Sequence, residues 1–181
     1  MEKIRSFISI DIPEMPAVAD IRERLRSIRG ISVPGSVHLT LRFLGDVDAN
    51  KIKELSERMR SLEEHRSFNV SVEGLGAFPN AREPRVVWIG ADLGDPFRSI
   101  LSDLDRMLDS LVIDYDRRPF KAHVTVGRVN RRSEPITDIL NRSKDMYAGS
   151  FRCTEIRLMK SVLTPEGAKH SAVGTFRLVD G

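Results

Sequence analysis

Apolar and polar positions along this chain alternate in some stretches and recur at helical spacing in others. Lys3 to Ile12 alternates, with Ile4, Phe7 or Ile8, Ile10 and Ile12 apolar in a run rich in β-formers, which predicts a first strand ended by Pro13. Val18, Ile21, Leu25 and Ile28 recur at helical spacing with charges between them. They predict a helix from about Pro16 to Ser27, stopped at Gly30. After Asp46 or Asp48 as a cap, Ile52, Leu55, Met59 and Leu62 predict a second amphipathic helix. Phe68, Val70 and Val72 form a strand, and Arg85 to Gly90 another that carries Trp88 into the core or a pocket wall. Between them, Gly74-Leu75-Gly76-Ala77-Phe78-Pro79 lacks the third glycine of a dinucleotide loop, so a turn or bulge leading to a buried Phe78 is expected. Asp95-Pro96 opens a helix whose stripe runs through Phe97, Ile100, Leu104, Leu108 and Leu111 and covers a sheet. Ser133-Glu134-Pro135 opens a last helix through Ile136, Ile139 and Leu140. Phe151 to Met159 reads as one strand, Thr164-Pro165-Glu166-Gly167 as a turn, and Ala168 to Leu178 as the closing strand.

Two alternating stretches carry a tighter pattern. Val37-His38-Leu39-Thr40-Leu41-Arg42-Phe43-Leu44-Gly45 and Phe120-Lys121-Ala122-His123-Val124-Thr125-Val126-Gly127-Arg128 each contain His-x-Thr followed by an apolar residue. Strand parity puts His38 and Thr40 on one face, with Leu39 and Leu41 behind them. His123 and Thr125 repeat the arrangement. Residues two apart on a strand lie roughly 6.5–7 Å apart, so an imidazole and a hydroxyl can converge on one small anion such as a phosphate. A lone His-x-Thr signifies little, but the chain has only four histidines and two of them fall in matching contexts. His65 and His170 carry no motif and read as surface or structural.

The predicted order is strand, helix, strand, helix, strand, strand, helix, strand, helix, strand, strand. Each half has a helix feeding a His-x-Thr strand, then a second helix and return strands. This predicts an α+β fold, a bilobal pseudo-two-fold duplication of mostly antiparallel sheets lining a central cleft, with helices on the outer faces. The length of 181 residues fits one domain spanning 1–181. One cysteine excludes an internal disulfide and suits a reducing, cytoplasmic setting; Cys153 reads as a small buried residue. No apolar run approaches the roughly 18–20 residues of a membrane span. The net charge of +3 is modest, but Arg117, Arg118, Lys121, Arg128, Arg131 and Arg132 surround the second motif. That rim suits either plain solvation or the attraction of phosphates.

The two motifs resemble the signature tetrapeptides of the 2H phosphoesterase superfamily. Arg5-x-Phe7-Ile8, Gly74-x-Gly76-x-Phe78-Pro79, Arg85 to Gly90 and Leu158-Met159-Lys160-Ser161 are similar to one branch, the 2′-5′ RNA ligase or RNA 2′,3′-cyclic phosphodiesterase family. The resemblance implies a bilobal fold with both motifs in the cleft. It implies hydrolysis of RNA 2′,3′-cyclic phosphate ends to a 2′-phosphate without metal or cofactor, and reversible joining of RNA ends through a 2′-5′ bond. It also implies His123 as the water-activating base and His38 as the acid to the leaving oxygen. Ala122 stands where the family often has Pro, and His170 near where a Tyr is usual.

The chemistry is consistent with the residues themselves. Opening a cyclic phosphodiester needs an activated water on one side and a protonated leaving oxygen on the other. Histidine takes both states near neutral pH. Thr40 and Thr125 would donate to non-bridging oxygens, and an arginine would offset the growing charge. Arg128 is the leading candidate, although parity sets it opposite His123 and Thr125, so a bulge or strand end at Gly127 must redirect it. Arg118 and Arg42 are further candidates; Arg42 shares parity with His38 and Thr40. Phe7 or Phe43 could stack on a base, or pack in the core. A monomer acting on RNA or nucleotide ends is expected. The rival readings are a phosphodiesterase for a small cyclic nucleotide or ADP-ribose cyclic phosphate, a non-catalytic RNA-end binding module, and a metal site at His38 and His123. The last lacks a Cys or carboxylate at ligand spacing beside either His.

Overall fold

The computed structural model describes residues 2–181. Strand β1 (Lys3–Asp11) leads into helix α1 (Pro16–Arg26), a two-residue strand β2 (Ile31–Ser32) and strand β3 (His38–Asp48). Helix α2 (Ala49–Arg58) continues directly into a 3₁₀ segment (Met59–Glu64), followed by β4 (Phe68–Phe78), β5 (Val86–Asp92) and α3 (Pro96–Ser110). Then come β6 (His123–Val129), α4 (Thr137–Ser143), β7 (Tyr147–Cys153), β8 (Glu155–Thr164) and β9 (Gly167–Arg177).

The strands form one nine-stranded sheet in the order β7-β4-β5-β6-β3-β1-β8-β9, with β2 paired to β6. Neighbouring strands pair antiparallel throughout. The order reads as two mirrored runs, β3-β1-β8-β9 and β6-β5-β4-β7, which meet at β3 and β6. This is the expected α+β duplication, with the two predicted sheets joined into a single one.

The helices pack behind the sheet. Val18, Ile21 and Leu25 form the buried stripe of α1. Fully burying such a side chain contributes about 1.5–3 kcal/mol, so packing rather than intrinsic propensity holds a helix of 11 residues. α1 lies on β6 and β7, strands of the other lobe, while α2 lies on β1 and β3. Asp48 caps α2 by accepting from the Asn50 N–H at 2.8 Å. Asp95, which stands at the N-cap of α3, makes no such bond.

Besides the two-residue β2, which the sequence reading lacks, three elements differ from it. Phe151 to Met159 is two strands, since the chain leaves β7 beside β4 and enters β8 beside β1, breaking at Thr154. The apolar phase slips by one residue at that crossing, from Phe151 and Cys153 to Ile156 and Leu158, a sign that the one-strand reading passed over. β4 runs straight through Gly74, which sits at a bulge with φ +78, and ends at a half-buried rather than buried Phe78. The last helix begins at Thr137, later than Pro135 suggested.

Candidate functional site

The two His-x-Thr segments meet where the lobes meet. Leu39 of β3 pairs antiparallel with Val124 of β6. These are the middle residues of the two motifs. Continuing that register by one residue sets His38 opposite Thr125 and Thr40 opposite His123, at Cα separations of about 4.5–5.5 Å. Leu39 and Val124 are fully buried behind them. All four polar side chains therefore share the face away from the helices.

A bulge then repeats in both strands. β1 pairs Ser9 with Thr40 and Ile8 with Arg42, leaving Leu41 unmatched. β5 pairs Trp88 with Thr125 and Val87 with Gly127, leaving Val126 unmatched. Each extra residue inverts parity beyond it. Arg128, opposite Val86, thus joins the cleft face with His123 and Thr125. The redirection that Arg128 required is present, one residue earlier than Gly127. Gly127 instead faces the helices, where a Cβ would come within 3.3 Å of Leu25 and 3.2 Å of Ile31.

The same inversion in β3 exchanges Arg42 and Phe43. Arg42 turns from the cleft face into the helix layer and is 8% exposed. Its Nε and one terminal nitrogen donate to the two carboxylate oxygens of Asp105 on α3, at 2.8 and 3.0 Å. Tyr115 and Phe120 pack on its guanidinium at 5.3 and 5.6 Å. Arg42 is committed to holding α3, contrary to the parity reading. Phe43 takes the cleft position and is 47% exposed, with the Arg5 guanidinium 4.8 Å over its ring. Phe7 is only 3% exposed, so its ring is not open to a base; it stacks on His38 at 4.9 Å.

The two imidazoles have different surroundings. His123 Nδ1 lies 2.7 Å from the Lys121 carbonyl. A carbonyl only accepts, so Nδ1 carries the hydrogen, and Nε2 of the neutral ring is left with its lone pair. The Phe78 ring meets His123 edge-on at 5.1 Å. His38 is more enclosed. Burial, then the neighbouring His170, hold its pKa below the ordinary 6.5, against a smaller opposing pull from Asp11. In a two-histidine bell the lower limb follows whichever imidazole gives up its proton more readily, whatever its role. His38 protonates only at lower pH than a free imidazole, so the acid limb of kcat/KM against pH is expected below 6.5. An initial-rate series across pH 4–9 (about one unit per two points, spanning both imidazole limbs) reads it directly.

Two chambers flank the motifs. One of about 390 Å³ is lined by His38, His170, Asp11, Ser36 and Arg22. The other, about 740 Å³, is lined by Thr40, Phe43, Phe78, Arg85, Lys121 and His123. Arg118 borders the larger chamber but is tied to Asp116, whose pKa that contact brings down to about 2. Arg117 is likewise held by Asp109, and Arg131 and Arg132 lie apart from the cleft chambers. Among the described residues Arg5, Arg85, Lys121 and Arg128 have no ion-pair partner. The positive rim is therefore built from three separate stretches of the chain, and sequence clustering identified only Lys121 and Arg128. Arg5, Arg85 and His170 were missed as site residues; only strand register brings them here. Cys153 is buried, its thiol pushed up to about 11. No group of three His, Cys, Asp or Glu side chains suited to a metal ion occurs among the described residues.

A nine-stranded antiparallel sheet whose two halves present matched His-x-Thr faces at their junction has the architecture of a LigT-like phosphoesterase. A family model described as LigT like Phosphoesterase matches residues 10–88. An RNA 2′,3′-cyclic phosphodiesterase of Archaeoglobus fulgidus is 33% identical over 177 residues, 96% of this chain and 99% of that protein. One of Methanothermobacter thermautotrophicus is 33% identical over 187 residues, covering 97% and 100%. A crystal structure of Escherichia coli LigT complexed with 3′-AMP superposes with TM-score 0.72 at 25% identity over 98% of this chain and 99% of that one. The chain belongs to the RNA 2′,3′-cyclic phosphodiesterase family of 2H phosphoesterases. No helix among the described residues is long and apolar enough to cross a membrane.

Proposed function

We propose that this cleft opens the 2′,3′-cyclic phosphate at an RNA end to a 2′-phosphate by metal-independent acid–base catalysis. The observation that carries the reading is the Leu39–Val124 pair, which brings the two His-x-Thr motifs side by side on one face of the sheet, between the chamber at His38 and the chamber at His123. Relatives over nearly the whole chain, named RNA 2′,3′-cyclic phosphodiesterase, support the substrate class.

His123 Nε2 takes a proton from water as its oxygen bonds to phosphorus. The P–O3′ bond breaks, and His38 donates a proton to O3′, leaving a 3′-hydroxyl and a 2′-phosphate. Thr40 and Thr125 donate to the non-bridging oxygens, and Arg128 offsets the charge that accumulates on them. The neutral state that burial imposes on His38 fits this order of events. An arriving phosphodiester anion favours the imidazolium, so the acid takes up its proton together with the substrate. An RNA 5′-hydroxyl in place of water would give a 2′-5′ linkage by the same proton transfers.

The larger chamber suits the RNA body. Phe43 offers an open ring, and Arg85 and Lys121 supply positive charge. Stacking of one base is worth about 1–3 kcal/mol. Phe43→Ala is therefore expected to raise KM for an oligonucleotide roughly tenfold with a smaller change in kcat, measured by steady-state kinetics.

The reading is tested by offering excess RNA ending in 2′,3′-cyclic phosphate in the presence of chelator. Many turnovers yielding a 2′-phosphate are expected. One bound end per protein with no product would make this an RNA-end binding module, and a 3′-phosphate product would reverse the leaving oxygen.

A further inference from the structure

His170 belongs to neither motif, yet it reaches the reacting face. Phe7 pairs with Met159 of β8, and Ser161, two residues on, pairs with His170 of β9. Met159, Ser161 and His170 thus share the face that holds Phe7. The His170 ring meets Phe7 edge-on at 5.0 Å and His38 edge-on at 5.4 Å. His38 lies flat on Phe7 on one side and against the edge of a second imidazole on another.

We propose that His170 is a positioning residue of this site, fixing the His38 ring against Phe7 and placing a second ionisable imidazole beside it. This role rests on the phosphodiesterase reading. Two imidazolium ions at such a separation oppose each other, so the pair takes up its second proton only at lower pH than its first. Burial also disfavours the charged form of His170. The other charged groups around His38 are accounted for. Asp11 of β1 is paired to Arg157 of β8, which also binds Glu155. Glu14 and Arg22 line the same chamber from the α1 side, and Arg22 is bound to the carbonyls of Pro34 and Gly35. His123 sits diagonally across on β6, and Lys160 and Lys169 flank His170 along the hairpin. Asp11 favours a charged His38; His170 is the group in ring contact that opposes it.

The test uses three variants of the full chain. H170F keeps an aromatic edge without a charge, H170Q keeps polarity without a ring, and H170K holds a fixed cation. The His38 imidazole is titrated by NMR in the substrate-free protein, and the acid limb of kcat/KM is measured alongside. In H170F and H170Q the His38 titration is expected to move up while staying below 6.5, because burial, the larger cause, remains, and the acid limb moves with it. In H170K both stay low. An unchanged His38 titration in H170F and H170Q overturns the role, as does an acid limb that stays fixed while the titration moves. A shifted titration in a protein that turns over no cyclic phosphate leaves the imidazole pair standing and removes the phosphodiesterase reading instead.

Discussion

Replacing either His38 or His123 by Ala is expected to lower turnover of a 2′,3′-cyclic phosphate by about 10²–10⁴-fold while leaving the thermal midpoint nearly unchanged. Each side chain is only half-buried at the cleft surface, and the buried packing beneath them belongs to Leu39 and Val124. Losing an imidazole therefore removes a proton donor or acceptor without opening the core. The double variant is expected to be little worse than the worse single one, because the two rings act on one displacement. The check is kcat/KM beside a thermal melt for each protein. A variant with near-normal turnover would remove that histidine from the chemistry.

Arg42 and Arg128 are expected to divide by what they damage. Arg42→Ala leaves Asp105 without its two-point partner and strips the cation from between Tyr115 and Phe120. Breaking a buried pair costs about 3–5 kcal/mol. Asp105 keeps some solvent, its side chain being 29% exposed, so a loss of about 2–4 kcal/mol is expected. For a chain of this size that lowers Tm by roughly 5–15 °C. Arg128→Ala should do the opposite, with a melt close to the parent and turnover lower by about 10²-fold, as for loss of one group that offsets developing charge. Lysine at 128 should recover part of that, having the charge but not the planar fork. Denaturant or thermal unfolding beside initial rates separates the two. A stable, inactive Arg42→Ala would return that arginine to the cleft.

These two arginines also show how far the sequence could be read. Alternation correctly grouped His38 with Thr40 and His123 with Thr125, because both pairs precede any irregularity in their strands. It failed one residue later. The bulge at Leu41 has no glycine beside it, whereas Gly127 adjoins the one at Val126 and was the cue for redirecting Arg128, and a bulge inverts every side chain that follows it. Arg42 was therefore expected in the cleft and Arg128 out of it without a correction. The helix stripes of α1, α2 and α3 were legible because burial on one side leaves a strong period. The site residues that stayed hidden, Arg5 and His170 in strands and Arg85 just before β5, have no distinguishing local pattern. His170 reaches the cleft only because its hairpin partner β8 pairs with the distant β1. The break at Thr154 was overlooked rather than hidden. Its two sides pair with strands in different lobes, and the one-residue phase slip from Cys153 to Ile156 was the only local trace of it.

The central claim is that both histidines face one shared anion site. It is tested most directly by titrating the protein with a nucleoside 2′-phosphate, the product's terminal group, and following both imidazoles by NMR. The account predicts that His38 and His123 signals shift together, along one binding curve that saturates at a single equivalent. Separate curves for the two rings, or a response from one ring alone, would contradict it.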